Sequence, residues 1–159
     1  MKKLLIIAFS VVAFVLPVAA QNKFSRAEIF GGYQFTHLEP SLDANGWSAA
    51  VSGNLSQWFG LTADFSGAYK DGGHIYTYMV GPTFSARTER VTAFAHALLG
   101  GASSGSDRAF SMAMGGGIDV NPGDHFSIRL IQADWLLFRS GGFTDRKNAR
   151  VSAGIVLRF

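Results

Sequence analysis

The sequence predicts an all-β protein: one eight-stranded, antiparallel, up-and-down transmembrane β-barrel, preceded by a cleaved signal peptide. Three observations predict it. The first is the ending, in which Val151, Ala153, Ile155, Leu157 and Phe159 share one parity, while Arg150, Ser152, Gly154 and Arg158 share the other, Val156 being the apolar exception. Strand side chains alternate between faces, so this segment has one greasy and one mostly polar face. A terminal strand of that kind suits the seam of a barrel that faces lipid and ends in an aromatic girdle. The second is the beginning. Met1-Lys2-Lys3 is a short cationic start, residues 4–16 are apolar apart from Ser10, and Pro17 precedes the small-residue site Val18-Ala19-Ala20. That is the layout of a secretory leader cut after Ala20. The third is the stretch between, which alternates with period two at roughly ten-residue lengths and carries no helical stripe.

Composition agrees with this reading. No stretch after residue 20 is long and apolar enough for a membrane-spanning helix, yet the chain is 48% hydrophobic, with 19 Gly and 14 Phe. A barrel shows lipid only every second residue, which reconciles the two. Lys2 and Lys3 belong to the leader, so 14 basic residues against 11 acidic ones leave the mature chain close to neutral, with no Lys/Arg cluster for nucleic acid. The absence of cysteine excludes disulfides, zinc–thiolate sites and cysteine nucleophiles. The expected organisation is a signal peptide over residues 1–20 and a single barrel domain over 21–159.

The strands follow in order. The first covers residues 26–37, with Ala27, Ile29, Gly31, Tyr33 and Phe35 outward and Glu28, Phe30, Gly32, Gln34 and Thr36 inward. The second covers 46–57, with Trp47, Ala49, Val51, Gly53 and Leu55 outward against Ser48, Ala50, Ser52, Asn54 and Ser56. The third, 59–69, sets Phe59, Leu61, Ala63, Phe65 and Tyr69 against Thr62, Asp64 and Ser66. The fourth, 74–86, sets Tyr76, Tyr78, Val80, Pro82 and Phe84 against Thr77, Met79, Gly81, Thr83 and Ser85. In the fifth, 91–101, if His96 points inward, the outward set is the modest Val91, Ala93, Ala95, Ala97 and Leu99. The sixth, 108–121, sets Phe110, Met112, Met114, Ile118 and Val120 against Ser111, Ala113, Gly115 and Asp119. In the seventh, 125–138, Arg129 has one parity and Gln132 and Asp134 the other. A bulge near Leu130-Ile131 puts all three inside, because one extra residue shifts the register. The eighth runs from about residue 148. Residues 57–58, 87–90 and 121–124 form short turns at the end that holds both termini; residues 38–45, 70–73, 102–107 and 139–147 form looser, polar loops at the other.

The inward face carries Glu28, Asp64, His96, Asp119, Arg129, Asp134, Arg150 and Arg158. Lone charges there are costly to desolvate, so they are expected to pair. Strand order suggests Glu28 with Arg158 and Asp119 with Arg129 near the turn end, and Asp64, His96 and Asp134 nearer mid-height. Eight strands enclose little more than side-chain volume, so the expected result is a salt-bridged plug.

Phe30-Gly31-Gly32-Tyr33-Gln34-Phe35, Val80-Gly81-Pro82, residues 94–101, Gly115-Gly116-Gly117-Ile118-Asp119, residues 129–134 and the aromatic-ended last strand, taken as an ordered set, resemble the small eight-stranded outer-membrane barrels of OmpA-like transmembrane type. The likeness covers the whole mature chain. It implies residence in the outer membrane, contact with outer-membrane lipid and lipopolysaccharide, and insertion by the barrel-assembly machinery, with Ile155, Leu157 and Phe159 as the assembly signal. The chain departs from the two-domain OmpA pattern in lacking the periplasmic peptidoglycan-binding domain, so cell-wall anchoring is not implied. The expected protein is a monomer with a structural or interaction role and no nucleic-acid partner; charged positions Lys70, Asp71, Arg108, Arg139, Asp145, Arg146 and Lys147 are the candidates for an external contact surface.

Other functions fare less well. Lipid A deacylases share this shape and use a His/Ser/Glu set, but the one His-x-Ser here, His125-Phe126-Ser127, falls at a turn on the wrong side, with no Glu downstream of it. Catalytic residues and cofactors are therefore not expected. Gly115-Gly116-Gly117 lacks the Lys-Ser/Thr of a phosphate loop, and His37 and His74 are too scattered to argue for a metal. Two alternatives stay open: a narrow pore for small solutes, and a soluble, periplasmic, lipocalin-like barrel in which the apolar face lines a ligand cavity.

Overall fold

The structure is a computed structural model that describes residues 24–38, 42–70 and 72–159. The expected leader, residues 1–20, lies outside the described residues, as does Asp71. Eight strands follow one another: β1 (Ala27–Leu38), β2 (Leu42–Asn54), β3 (Phe59–Lys70), β4 (Gly73–Arg87), β5 (Val91–Ser104), β6 (Asp107–Val120), β7 (Phe126–Ser140) and β8 (Phe143–Arg158). Each pairs antiparallel with its sequence neighbours, and β8 pairs with β1 to close the barrel. The seam is continued past the ladder by Phe159, whose amide donates to the Ala27 carbonyl (2.9 Å) and whose carbonyl accepts from the amides of Arg26 (2.7 Å) and Ala27 (3.2 Å).

The alternation expected in each strand holds, and so does its polarity, except that β2 stops at Asn54, so that Leu55, Ser56 and Gln57, expected in the strand, form the turn, with the Leu55 and Ser56 amides donating to the Phe59 carbonyl. Tyr33, Trp47, Phe65, Tyr78, Val80, Leu99, Met114, Ile155 and Leu157 are exposed on the outside, whereas Gln34, Ser48, Asp64, Ser66, Thr77, His96, Asp119 and Arg150 are buried inside. A soluble lipocalin-type barrel has the opposite arrangement, so that alternative finds no support here. Outward Phe59 and Tyr69 bracket β3 over about 33 Å of strand, or about 25 Å of height at a tilt of about 40°. That is the height of the apolar band of a membrane barrel, and aromatic residues mark both its edges. Trp58, Phe59 and Phe84 cluster at the turn end, with Phe59 and Phe84 centroids 5.3 Å apart. At the other end the Trp47 indole donates to the Tyr69 hydroxyl (3.1 Å), which in turn reaches Tyr76 (3.3 Å).

The bulge lies where the parity slip places it. Ile118 pairs with Ile131 and Asp119 with Arg129, so Leu130 has no opposite number. Leu130 and Ile131 both face outward, and Arg129, Gln132 and Asp134 all turn inward. A second irregularity, between Leu136/Phe138 and the β8 segment around Arg146, had no such signal.

The loops are where the sequence expectation needs correction. The segments expected to be loose, 102–107 and 139–147, are almost wholly strand, as is 42–45. The chain reverses within two residues at 105–106 and 141–142. Gly105 (φ 59°), Gly141 (φ 55°) and Gly142 (φ 88°) occupy the left-handed region there, which side chains with a Cβ rarely adopt. Polarity had suggested loops, but these residues belong to strands that continue above the apolar band, where an outward polar residue meets water.

Candidate functional site

The lumen is the part of the molecule with dense chemistry, and the barrel's register builds it in tiers. Nearest the turn end, β1 and β8 bring Glu28 and Arg158 opposite each other as Cα partners. Their side chains form the expected ion pair only loosely, because a second guanidinium holds the carboxylate more tightly. The Glu28 carboxylate accepts from Arg87 Nη1 at 2.6 Å and from Ser25 Oγ at 2.7 Å, while Arg158 Nε stays 3.8 Å away. Arg87, expected in a turn, is instead the last residue of β4 and reaches across the mouth. Backbone pairing set the two Cα atoms side by side without fixing which guanidinium the carboxylate takes.

In the next tier Arg129 grips Asp119 as expected, through Nε (2.7 Å) and Nη2 (3.0 Å), and Nη1 donates to Gln132 Oε1 (2.7 Å). The guanidinium is also sandwiched between two inward rings, 4.4 Å from the centroid of Phe30 and 4.2 Å from that of Phe94. Such stacking strengthens where water is scarce.

Gln132 carries the network upward by donating to Asp134 Oδ2 at 2.8 Å. Asp134 is the hub. Its Oδ2 also accepts from Arg150 Nε (2.8 Å) and Nη2 (2.6 Å), and its Oδ1 lies 2.8 Å from His96 Nε2. A carboxylate only accepts, so Nε2 is the protonated nitrogen of His96. Arg150 then spans the lumen to Asp64 Oδ1 (2.7 Å) and Ser66 Oγ (3.3 Å). Its side chain is 1% exposed, and those of Asp64 and Asp134 are 2% and 0%. Charges this deep persist only when paired and hydrogen-bonded. Space for the hub is made by Gly115 on β6, where a Cβ would come within 2.3 Å of Asp134 Oδ1 and 2.2 Å of the Ala133 carbonyl. Six of the eight expected charged residues thus form one connected strut that ties β3, β5, β6, β7 and β8; Glu28 and Arg158 form a separate group with Arg87.

Above the strut the lumen changes character. Met79, Leu98, Ala113 and Leu136, all inward, pack into a buried apolar cluster against Phe138. Inward parity was legible for these positions, but their meeting at one height was not. Small interior spaces include one of about 20 Å³ on the Arg129 side and one of about 10 Å³ beside Arg150. At the turn end the lumen opens into a bowl of about 1190 Å³.

The other motifs fall apart in space. Ser127 turns inward and donates to Asn121 Oδ1 (2.7 Å), with no histidine base beside it. His37 Nδ1 lies 2.6 Å from Asp43, while the His74 ring packs on Tyr76. Among the described residues no three His, Cys, Asp or Glu side chains gather as metal ligands. On the outside, at the end opposite the bowl, Arg108 shares a strand face with Phe110, and Arg139 is the register partner of Phe110. With exposed Arg146 and Lys147 on β8 they make a cationic stretch over three adjacent strands. The Trp135 indole, at the upper edge of the apolar band, donates to the Arg146 carbonyl.

No protein-family model matches the chain, and no curated protein matches it. Solved structures do. Ail, the attachment invasion locus protein of Yersinia pestis, is 18% identical over 86% of this chain and 99% of its own, with a TM-score of 0.56; Ail has also been solved in complex with the heparin analogue sucrose octasulfate. Neisserial surface protein A is 13% identical over 84% of this chain and 96% of its own, with a TM-score of 0.61. The N-terminal β-barrel domain of Pseudomonas aeruginosa OprF is 10% identical over 86% of this chain and all of its own, with a TM-score of 0.62. At these identities the likeness is one of architecture, and it agrees with the band, girdles and closed ladder described above: the chain has the fold of the small eight-stranded outer-membrane β-barrels.

Proposed function

We propose that the protein is an integral outer-membrane barrel with a structural or interaction role, no catalytic activity, and a lumen that works as a plug. The observation that carries the plug is the stacking of two unlike barriers. The Asp64–Arg150–Asp134–His96 strut blocks the middle with paired charge, and the Met79/Leu98/Ala113/Leu136 layer blocks the far side with hydrocarbon. An ion that crosses must break a buried salt bridge and then shed water in an apolar constriction, and each step is costly. The small spaces beside Arg129 and Arg150 hold about one water each. The expected result in planar lipid bilayers is a silent membrane after insertion of the purified, folded protein. Regular, resolved current steps from such preparations would favour the narrow-pore alternative.

The interaction role belongs to the outer rim. Arg108, Arg146 and Lys147 stand on strand extensions toward the rim from Phe110 and Trp135, with Arg139 beside Phe110. Guanidinium groups directly above an apolar, aromatic band suit the phosphates of lipopolysaccharide, whose acyl chains the band itself would contact. Ail, of the same fold, is known with a polysulfated sugar bound. Reversal of two of these charges, Arg108→Glu with Arg139→Glu, is expected to cut the lipopolysaccharide retained on the purified barrel several-fold. Equal retention by variant and parent would remove the rim from the account.

A further inference from the structure

The bowl at the turn end belongs to neither the plug nor the rim, and its floor is electrostatically unbalanced. Two guanidinium groups, of Arg87 and Arg158, share the single carboxylate of Glu28. Arg87 holds the better part of it, at 2.6 Å, and adds a bond from Nε to the Gln57 carbonyl at 3.1 Å. Arg158 is left with little: 3.8 Å to Glu28, a long 3.5 Å contact from Nη1 to Ser127, and a buried Nε without any hydrogen-bond partner. A buried, unsatisfied donor on a charged group is costly, and native proteins leave few of them. Both arginines line the bowl, and its volume of about 1190 Å³ is at or just above the roughly 300–1,000 Å³ of small-ligand sites.

We propose that this floor is a binding site for a single oxyanion, a carboxylate presented by a small ligand that enters the bowl, with Arg158 as its principal contact and Arg87 beside it. The planar guanidinium fork matches a carboxylate in two parallel bonds. The wall sets the net charge the ligand can carry. Glu89 and Asp124 line the bowl with the C-terminal residue Phe159, and they disfavour a polyanion while tolerating one negative charge on a neutral or basic body. His125 also faces the space. Glu28 is then the internal competitor, the group that occupies the arginines when no ligand does. The site stands whether or not the lumen conducts; with the rim at the lipopolysaccharide face, as proposed above, the bowl opens to the periplasm.

The test uses the folded full-length barrel in detergent micelles, with the Arg158 Nε–H resonance as the reporter. The probes are acetyl-Gly-Ala as the free acid, the same peptide as its C-terminal amide, and inorganic phosphate at matched ionic strength. The free acid is expected to shift the Arg158 signal saturably, the amide not at all, and phosphate more weakly than the acid. Arg158→Gln, checked for folding by its heat-modifiable gel mobility, is expected to abolish binding of the acid measured calorimetrically, and Arg158→Lys to retain part of it. Glu28→Gln, which removes the competitor, is expected to tighten binding about tenfold. Equal responses to acid and amide, undiminished binding by a folded Arg158→Gln variant, or no gain from Glu28→Gln would each overturn the site. A stronger response to phosphate would overturn the carboxylate assignment and make free phosphate the ligand.

Discussion

Arg150→Leu is expected to be among the most destabilising single substitutions in this barrel, at about 3–5 kcal/mol, because it strands buried carboxylates. Arg150 is the cation that Asp64 and Asp134 share across the lumen. Asp134 keeps His96 and Gln132 when Arg150 is gone, but Asp64, at 2% exposure, loses the partner to which it is bonded. The measurement is urea unfolding in lipid vesicles, scored by the mobility of unboiled samples. At a slope of about 2 kcal/mol per M the midpoint should fall by roughly 2 M. Adding Asp64→Leu to Arg150→Leu should restore part of the loss, since an apolar pair tolerates a buried site better than half an ion pair does. Additive losses in the double variant would mean that the two side chains do not act together, and the strut would have to be abandoned as a unit.

The ingredients of that strut were legible in the sequence; its wiring was not. Period-two alternation assigns a residue to a face with little ambiguity, because a one-residue slip would turn every apolar side chain of a strand into the lumen. That is why Asp64, Asp134 and Arg150 could be placed inside from letters alone, and why the conflict between Arg129 and Gln132 pointed to a bulge; in β5, where both faces are small or apolar, the faces followed only once His96 was set inward. Parity contains no height, though. Met79, Leu98, Ala113 and Leu136 meet at one level because of strand tilt and stagger, which are properties of the closed barrel, and so inward apolar residues that alternation leaves scattered gather into one apolar layer. Parity contains no side-chain reach either. Arg87 takes Glu28 from across the mouth, and Phe30 and Phe94 stack on Arg129, two arrangements for which inward parity was necessary and insufficient. The loops were misjudged for a third reason. Polar composition marks exposure to water, and in a membrane barrel the strands leave the lipid before they end.

The last residue permits a separation that the barrel seam makes unusually clear. Phe159 joins the seam by its backbone, through bonds with Ala27 and Arg26, while its ring stands partly exposed on the lipid side with Leu157 and Ile155. Closure of the barrel therefore draws on the residue's backbone, whereas the assembly signal that the resemblance implies would draw on its ring. Phe159→Ala keeps the three backbone bonds and should refold into vesicles with a stability within about 1 kcal/mol of the parent, the cost of a ring that is only partly buried. If a partner reads Ile155, Leu157 and Phe159 during assembly, the same variant is expected to reach the outer membrane of cells at about a tenth of the parental level, because one anchor is missing and anchors of that kind carry much of an interface's energy. Deletion of Phe159 should fail in both settings, since it opens the seam as well. Outer-membrane fractionation beside in vitro refolding distinguishes the two roles. A Phe159→Ala variant that assembles in cells at the parental level would show that the terminal ring serves the membrane interface alone, and the assembly signal would then have to lie elsewhere in β8.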